Sequence, residues 1–198
     1  EVVEYDYLHS RVQQVRYLAN QLDKHGIPYL KPVGGHAIYI ISDKFLSHIP
    51  REEFPAQTLA CELYLDSGVR GVEIGTILAD RDPNTRENRY PQFDLLRLCL
   101  PRRTYTDSHV DIVAKSLINL YRRRDKITKG LTIIWEAPII RHFTVKLARV
   151  GTEVTDDVKN QNGTANEEDI ASLRAKKMAW NGIGNSNGNC SATIINQE

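Results

Sequence analysis

Apolar residues at Tyr5, Leu8, Val12, Val15, Leu18 and Leu22 recur close to helical spacing, with Arg11, Gln14 and Arg16 largely on other faces. This predicts a helix from Tyr5 to about Lys24. His25-Gly26 supplies the stop, glycine being suited to the left-handed position past a helix end. Ile27-Pro28-Tyr29 reads as a short extended piece and Pro32-Val33-Gly34-Gly35 as a turn. His36 to Ile41, rich in β-branched and aromatic residues, predicts a strand. Ser42-Asp43-Lys44 turns the chain so that Phe45-Leu46 pack back.

A second helix is expected from Ala56 to Ser67, with Pro55 in its first turn and Gly68 at its end. Val69 to Ile74 is a strand candidate, followed by Gly75 to Leu78. The polar, turn-rich stretch Asp80 to Tyr90 (DRDPNTRENRY) is expected to be an exposed loop. Asp94-Leu95-Leu96-Arg97-Leu98-Cys99-Leu100-Pro101 is an apolar run of strand length with one arginine in its middle. Thr106 to His109 opens a third helix running to about Arg124, with Val110, Val113, Leu117, Leu120 and Tyr121 on its apolar face. Gly130 to Trp135 predicts a further strand and Ile139 to Leu147 a last ordered segment. No internal repeat is visible.

Helices alternating with short strands imply an α+β layer, with helices on one face of a small mixed sheet built from residues 1–150. From Gly151 to Glu198 the composition shifts to Asn, Gly, Asp and Ser, with one weak helical patch at 167–180. That tail has too little apolar surface to order itself and is expected to be disordered.

The totals change this picture little. The 198 residues are 41% hydrophobic and 26% charged, with a net charge of +1. Near-neutral charge argues against nucleic acid or an anionic membrane as the main partner, and no apolar stretch is long enough to span a bilayer. The first residues, Glu1-Val2-Val3-Glu4, lack a secretory signal and an initiator methionine, so a start inside a longer chain is expected. Cys61, Cys99 and Cys190 have no metal-ligand spacing and point to reduced thiols in a cytoplasmic protein. The Arg122–Lys126 run reads as a solvated helix end that complements the helix dipole.

No complete catalytic set is present. Arg97 is the residue that calls for explanation, because an unpaired guanidinium inside an apolar strand is costly. Either it lies on the strand's wet face or in a structural ion pair, or it is placed to grip a carboxylate with two parallel hydrogen bonds. Gly34-Gly35-His36 leads into a strand and so reads as a tight turn, with His36 a turn or interface residue. Glu73, between Val72 and Ile74, reads first as a structural carboxylate bonded to backbone or base. His142, after Arg141, reads as a surface or satisfied histidine.

Five blocks shift those readings: VGGHA (33–37), HIPREEFPAQTLACELY (48–64), GVRGVEIG (68–75), LLRLCLPRRTYT (95–106) and KGLTIIWEAPIIRHFT (129–144). In order and spacing they resemble the carboxy-terminal part of the aromatic β-eliminating lyases, comprising tryptophan indole-lyase and tyrosine phenol-lyase. The resemblance covers nearly all of residues 4–150. It implies the small domain of a fold-type I, aspartate aminotransferase-like enzyme that uses pyridoxal phosphate and a monovalent cation (K+), and is tetrameric in the family. Arg97 matches the arginine that binds the substrate α-carboxylate.

Ile74 matches the position where phenol-lyases carry arginine, Val72 lies beside it, and His142 matches a histidine of indole-lyases where phenol-lyases tend to have phenylalanine. These matches imply L-tryptophan as substrate, eliminated to indole, pyruvate and ammonia, with a phenol-lyase activity as one alternative. A stand-alone non-catalytic binding or assembly module is another. The Schiff-base lysine, the phosphate-binding residues and the cation ligands belong to the family's upstream portion, so this chain is expected to be inactive alone. Asp80 stands where indole-lyases usually have glycine, and the tail extends past the family's normal end.

Overall fold

The computed structural model describes residues 3–138 and 140–152. The expected tail, with its weak helical patch and Cys190, lies almost wholly outside the described residues. The chain divides into two compact units, residues 1–132 and 133–198.

In the first unit, α1 (Tyr5–Asp23) buries Val15, Leu18, Ala19 and Leu22. Its end is set by Gly26, at φ 66°: the Gly26 amide donates to Asp23 and that of Ile27 to Leu22, closing the last turn. Strand β1 (Ala37–Ile41) runs into a single-turn helix, α2 (Ser42–Phe45), which drives Phe45 and Leu46 into the core. A 3-10 turn at Arg51–Glu53 precedes α3 (Pro55–Ser67), which ends at Gly68. Strand β2 (Val72–Ile74) is shorter than the expected 69–74 because it pairs with β3 over three positions only. It is followed by a one-turn helix, α4 (Thr76–Ala79).

Strand β3 (Leu95–Cys99) precedes α5 (Asp107–Arg122), whose first turn is closed by a reciprocal cap. The Thr106 side chain accepts from the His109 amide while the His109 ring accepts from the Thr106 amide. The basic run after α5 is more than a solvated end. Arg123 pairs with Asp66 at 2.7 Å and Arg124 stacks over Tyr121.

The sheet has the order β1-β3-β2, and β3 is antiparallel to both neighbours. This corrects the expected mixed sheet. With β3 in the centre running against both, β1 and β2 never become neighbours, so no parallel pair forms among the described residues. Ile38, Ile40, Leu96 and Leu98 face one side and join Leu18, Leu59, Leu63, Ala114 and Leu117 in a continuous core. The helices therefore lie on one face, as expected. Burying each isoleucine or leucine of this set stabilises by roughly 1.5–3 kcal/mol.

Strand β4 (Leu131–Trp135) and β5 (Lys146–Arg149) form a separate two-stranded sheet, most of it in the second unit, with a 3-10 turn at Arg141–Phe143 between them. Among the described residues no helix is long and apolar enough to cross a membrane.

Candidate functional site

The strand period settles where the arginine of β3 points. Leu96 and Leu98 are buried in the core, so Arg97 between them projects from the opposite face of the sheet. Its direct neighbours across the ladder are Tyr39 on β1 and Val72 on β2. Arg97 is half-buried, and its Nε is enclosed without a hydrogen-bond partner among the described residues. An enclosed N–H of a permanent cation leaves a donor ready for an anionic oxygen.

The rest of this face is largely apolar. Ile74 pairs with Leu95, Ile41 pairs with Leu95 from the other side, and Val72 is 39% exposed. Cys99, an exposed free thiol, ends the row. The Tyr39 hydroxyl lies 3.4 Å from His36 Nε2, their rings edge to face, so His36 is tied to Tyr39 beside this face.

Arg97, Val72 and Ile74 are thus gathered on one surface of the first unit, with Ile74 one strand-period beyond Val72. His142 belongs to the second unit. There it sits in the 3-10 turn with its ring 4.0 Å from that of Phe143. Beside it Arg141 is 1% exposed and pairs with Glu136 at 3.2 Å. Lys146 lies over the Trp135 ring. Nothing in the spacing of Arg141 marks it as buried, although its partner acid lies only five residues upstream.

Directly behind Ile74 two buried carboxylates organise the chain. Glu73 accepts hydrogen bonds from the Ile77 amide at 2.9 Å and the Leu78 amide at 3.0 Å. This is the structural role expected of it. Asp94 accepts from the Thr76 amide and from the Ala56 amide, both at 3.0 Å, while its own carbonyl accepts from Ser42. It therefore caps α3, whose N-cap, Phe54, offers no side-chain oxygen and whose next residue, Pro55, has no N–H. Sequence reasoning missed this, because the amides concerned lie 38 and 18 residues away.

Burial pushes the Glu73 carboxyl up to about 7, helped by the neighbouring Asp94 charge and opposed by the Ile77 and Leu78 amides. Burial also raises Asp94, against the amides of Ala56 and Thr76 and the charge of Arg51.

The described lysines do not fit a covalent role toward a carbonyl cofactor. Lys24, Lys31, Lys44, Lys115, Lys126 and Lys129 are exposed, and Lys146 is half-buried over an indole. Activation of a lysine amine needs a dry pocket or a cationic neighbour. No group of three or more His, Cys, Asp or Glu among the described residues could hold a metal ion.

The sequence profile of the beta-eliminating lyase family matches residues 2–116. A protein of Trichomonas vaginalis named probable beta-eliminating lyase is 60% identical over 150 residues, which cover 76% of this chain and 33% of that protein. The tyrosine phenol-lyase of Symbiobacterium thermophilum is 49% identical over 146 residues, covering 74% of this chain and 32% of that protein. That of Intrasporangium calvum is 47% identical over 153 residues, covering 77% and 32%. The chain spans about a third of the length of the curated relatives it matches.

Proposed function

This chain belongs to the beta-eliminating lyase family, and we propose that it supplies the carboxylate-binding and ring-binding surface of an enzyme that eliminates the aromatic side chain of L-tryptophan as indole. The observation that carries this reading is Arg97, with its enclosed, unpartnered Nε, flanked by Val72 and near Ile74 on one face of the sheet.

The family is pyridoxal-phosphate-dependent, and when bound that cofactor acts as an electron sink for the α-carbanion of an amino acid. None of the described lysines lies in a setting that would bond it covalently. In this reading the lysine, the phosphate-binding residues and the monovalent-cation site are contributed by sequence of the kind that makes up the other two thirds of the relatives. Arg97 fixes the substrate carboxylate with a planar two-point grip, which orients the α-C–H bond for cleavage. Ile74 and Val72 form an apolar wall that packs a ring and keeps water from it. A homotetramer and a cytoplasmic location belong to the same reading.

A second reading has its own support, since several relatives are named tyrosine phenol-lyase. It requires a polar partner for a phenol hydroxyl, and Ile74 offers none. Tryptophan is therefore the substrate proposed.

The test is reconstitution. The chain is combined with the separately expressed amino-terminal two thirds of a relative, pyridoxal phosphate and potassium are added, and release of indole from tryptophan and phenol from tyrosine is followed. Indole release that is lost in Arg97→Ala supports the reading. Phenol as the main product would favour the second reading. Neither product, from folded partners, would favour a non-catalytic assembly module.

A further inference from the structure

Ile74 is the last residue of β2, and the turn after it is held in an unusual way. Within five residues the chain passes from strand to α4, and the amides of Thr76, Ile77 and Leu78 all point at buried carboxylate oxygens. Glu73 reaches forward over its own turn, and Asp94 closes the turn from the start of β3. Gly75 lies between them. A Cβ there would stand 1.6 Å from Asp94 Oδ1 and 2.7 Å from Glu73 Oε1. A strand end with free amides would fray. Here three amides share two acids within a space that only glycine fits.

We propose that Glu73 and Asp94 are positioning residues that clasp the turn after Ile74 and so set where the Ile74 side chain stands on the substrate-facing surface. This deepens the proposed function and rests on it for the meaning of Ile74. Asp94 is tied into α3 through Ala56, which makes it the fixed jaw. Glu73 is the adjustable one, because it holds both of its amides only while ionised. A neutral carboxyl has one oxygen suited to accept, so one of the two bonds is lost.

The groups around Glu73 are few. Asp94 brings the neighbouring charge, with Arg51 and Asp43 acting on Asp94. Leu96 is the cross-strand partner. The buried side of α3 brings Ala56, Leu59, Ala60 and Leu63, none of which titrates. The raised carboxyl of Glu73 places this adjustment in the neutral pH range.

The test uses the full chain, without cofactor or turnover, so its outcome is separate from that of reconstitution. Amide hydrogen exchange and the Ile74 δ1-methyl resonance are followed from pH 8 to pH 5.5. We expect the protection of one of the two amides, Ile77 or Leu78, to fall at least tenfold relative to Thr76. The Ile74 methyl should move with the same midpoint. Glu73→Gln should hold both readouts at one value across the range. Amide protection that is constant with pH would overturn the clasp. An Ile74 methyl that stays still while the Ile77 or Leu78 amide titrates would leave Glu73 a local structural residue and overturn its positioning role. The wild-type titration decides this even where the glutamine variant does not fold.

Discussion

Gly75 and Asp94 are in direct apposition. A Cβ on Gly75 would stand 1.6 Å from Asp94 Oδ1, a separation no non-bonded pair of atoms tolerates. The carboxylate cannot swing aside without releasing the amides of Thr76 and Ala56. Gly75→Ala is therefore expected to destabilise the fold by about 3 kcal/mol, the upper range for overpacking. Gly34→Ala, where nothing lies within 4 Å, should change stability by no more than about 0.5 kcal/mol. Urea unfolding of the two variants makes the comparison. Equal midpoints would refute the close approach.

Asp80 carries a different kind of strain. Its backbone sits at φ 64° and ψ −173°, a region that is essentially glycine's alone and costs of order 1–3 kcal/mol for another residue. Asp80→Gly and Asp80→Ala both remove the carboxylate that accepts from the Arg81 amide. Only glycine relieves the backbone. The glycine variant should be the more stable of the two by about 1 kcal/mol or more, measured as the difference between their unfolding free energies.

Glu73 makes global stability depend on pH. Its carboxyl lies at about 7 in the folded chain against an ordinary value of 4.5. Between those values the native state holds a proton that the unfolded chain has lost. Unfolding free energy from this group therefore falls as pH rises from about 4.5 to about 7 and levels off above that, by up to about 3 kcal/mol. Denaturant unfolding at pH 5 and pH 8 should show this loss in the wild type, and Glu73→Gln should remove it. A wild type that gains stability over the same interval would contradict the assignment.

Arg97 separates stability from binding. With its Nε unpartnered among the described residues, its truncation removes little that holds the fold together. Arg97→Ala should cost less than about 1 kcal/mol in unfolding free energy. It should nonetheless abolish indole release in the reconstituted enzyme, and Arg97→Lys should recover only a small part, because a point charge cannot make the planar two-point contact. A variant that fails to fold would show instead that the guanidinium is structural.

Much of this architecture was legible in the sequence because its signals are local. The stop at Gly26 needs only the glycine and the preceding helix, and the Thr106–His109 cap needs only three-residue spacing. The placement of Arg97 on the outer face follows from the two-residue strand period once Leu96 and Leu98 are taken as core. The conversion of Gly75–Leu78 into a helical turn, the capping of α3 by Asp94 and the burial of Arg141 were not legible. The cap depends on an acid 38 residues from the amide it accepts from, brought close only by the fold, whereas Glu73 and Glu136 lie four and five residues from Ile77 and Arg141, spacings that do not by themselves reveal burial.

Periodicity and turn chemistry alone placed the three long helices and the cores of the main strands, but not the one-turn helices α2 and α4. The residues that carry the family likeness lie in short uninterrupted blocks of the sequence and are readable without the fold. Only the tertiary structure decided that β3 lies centrally and antiparallel to both neighbours, which brings Val72 and Tyr39 to either side of Arg97. It also decided that Glu73 and Asp94 meet across Gly75. The reason is physical: a backbone spacing fixes the direction of a side chain, but the free energy of a buried charge is fixed by whatever the folded chain packs around it.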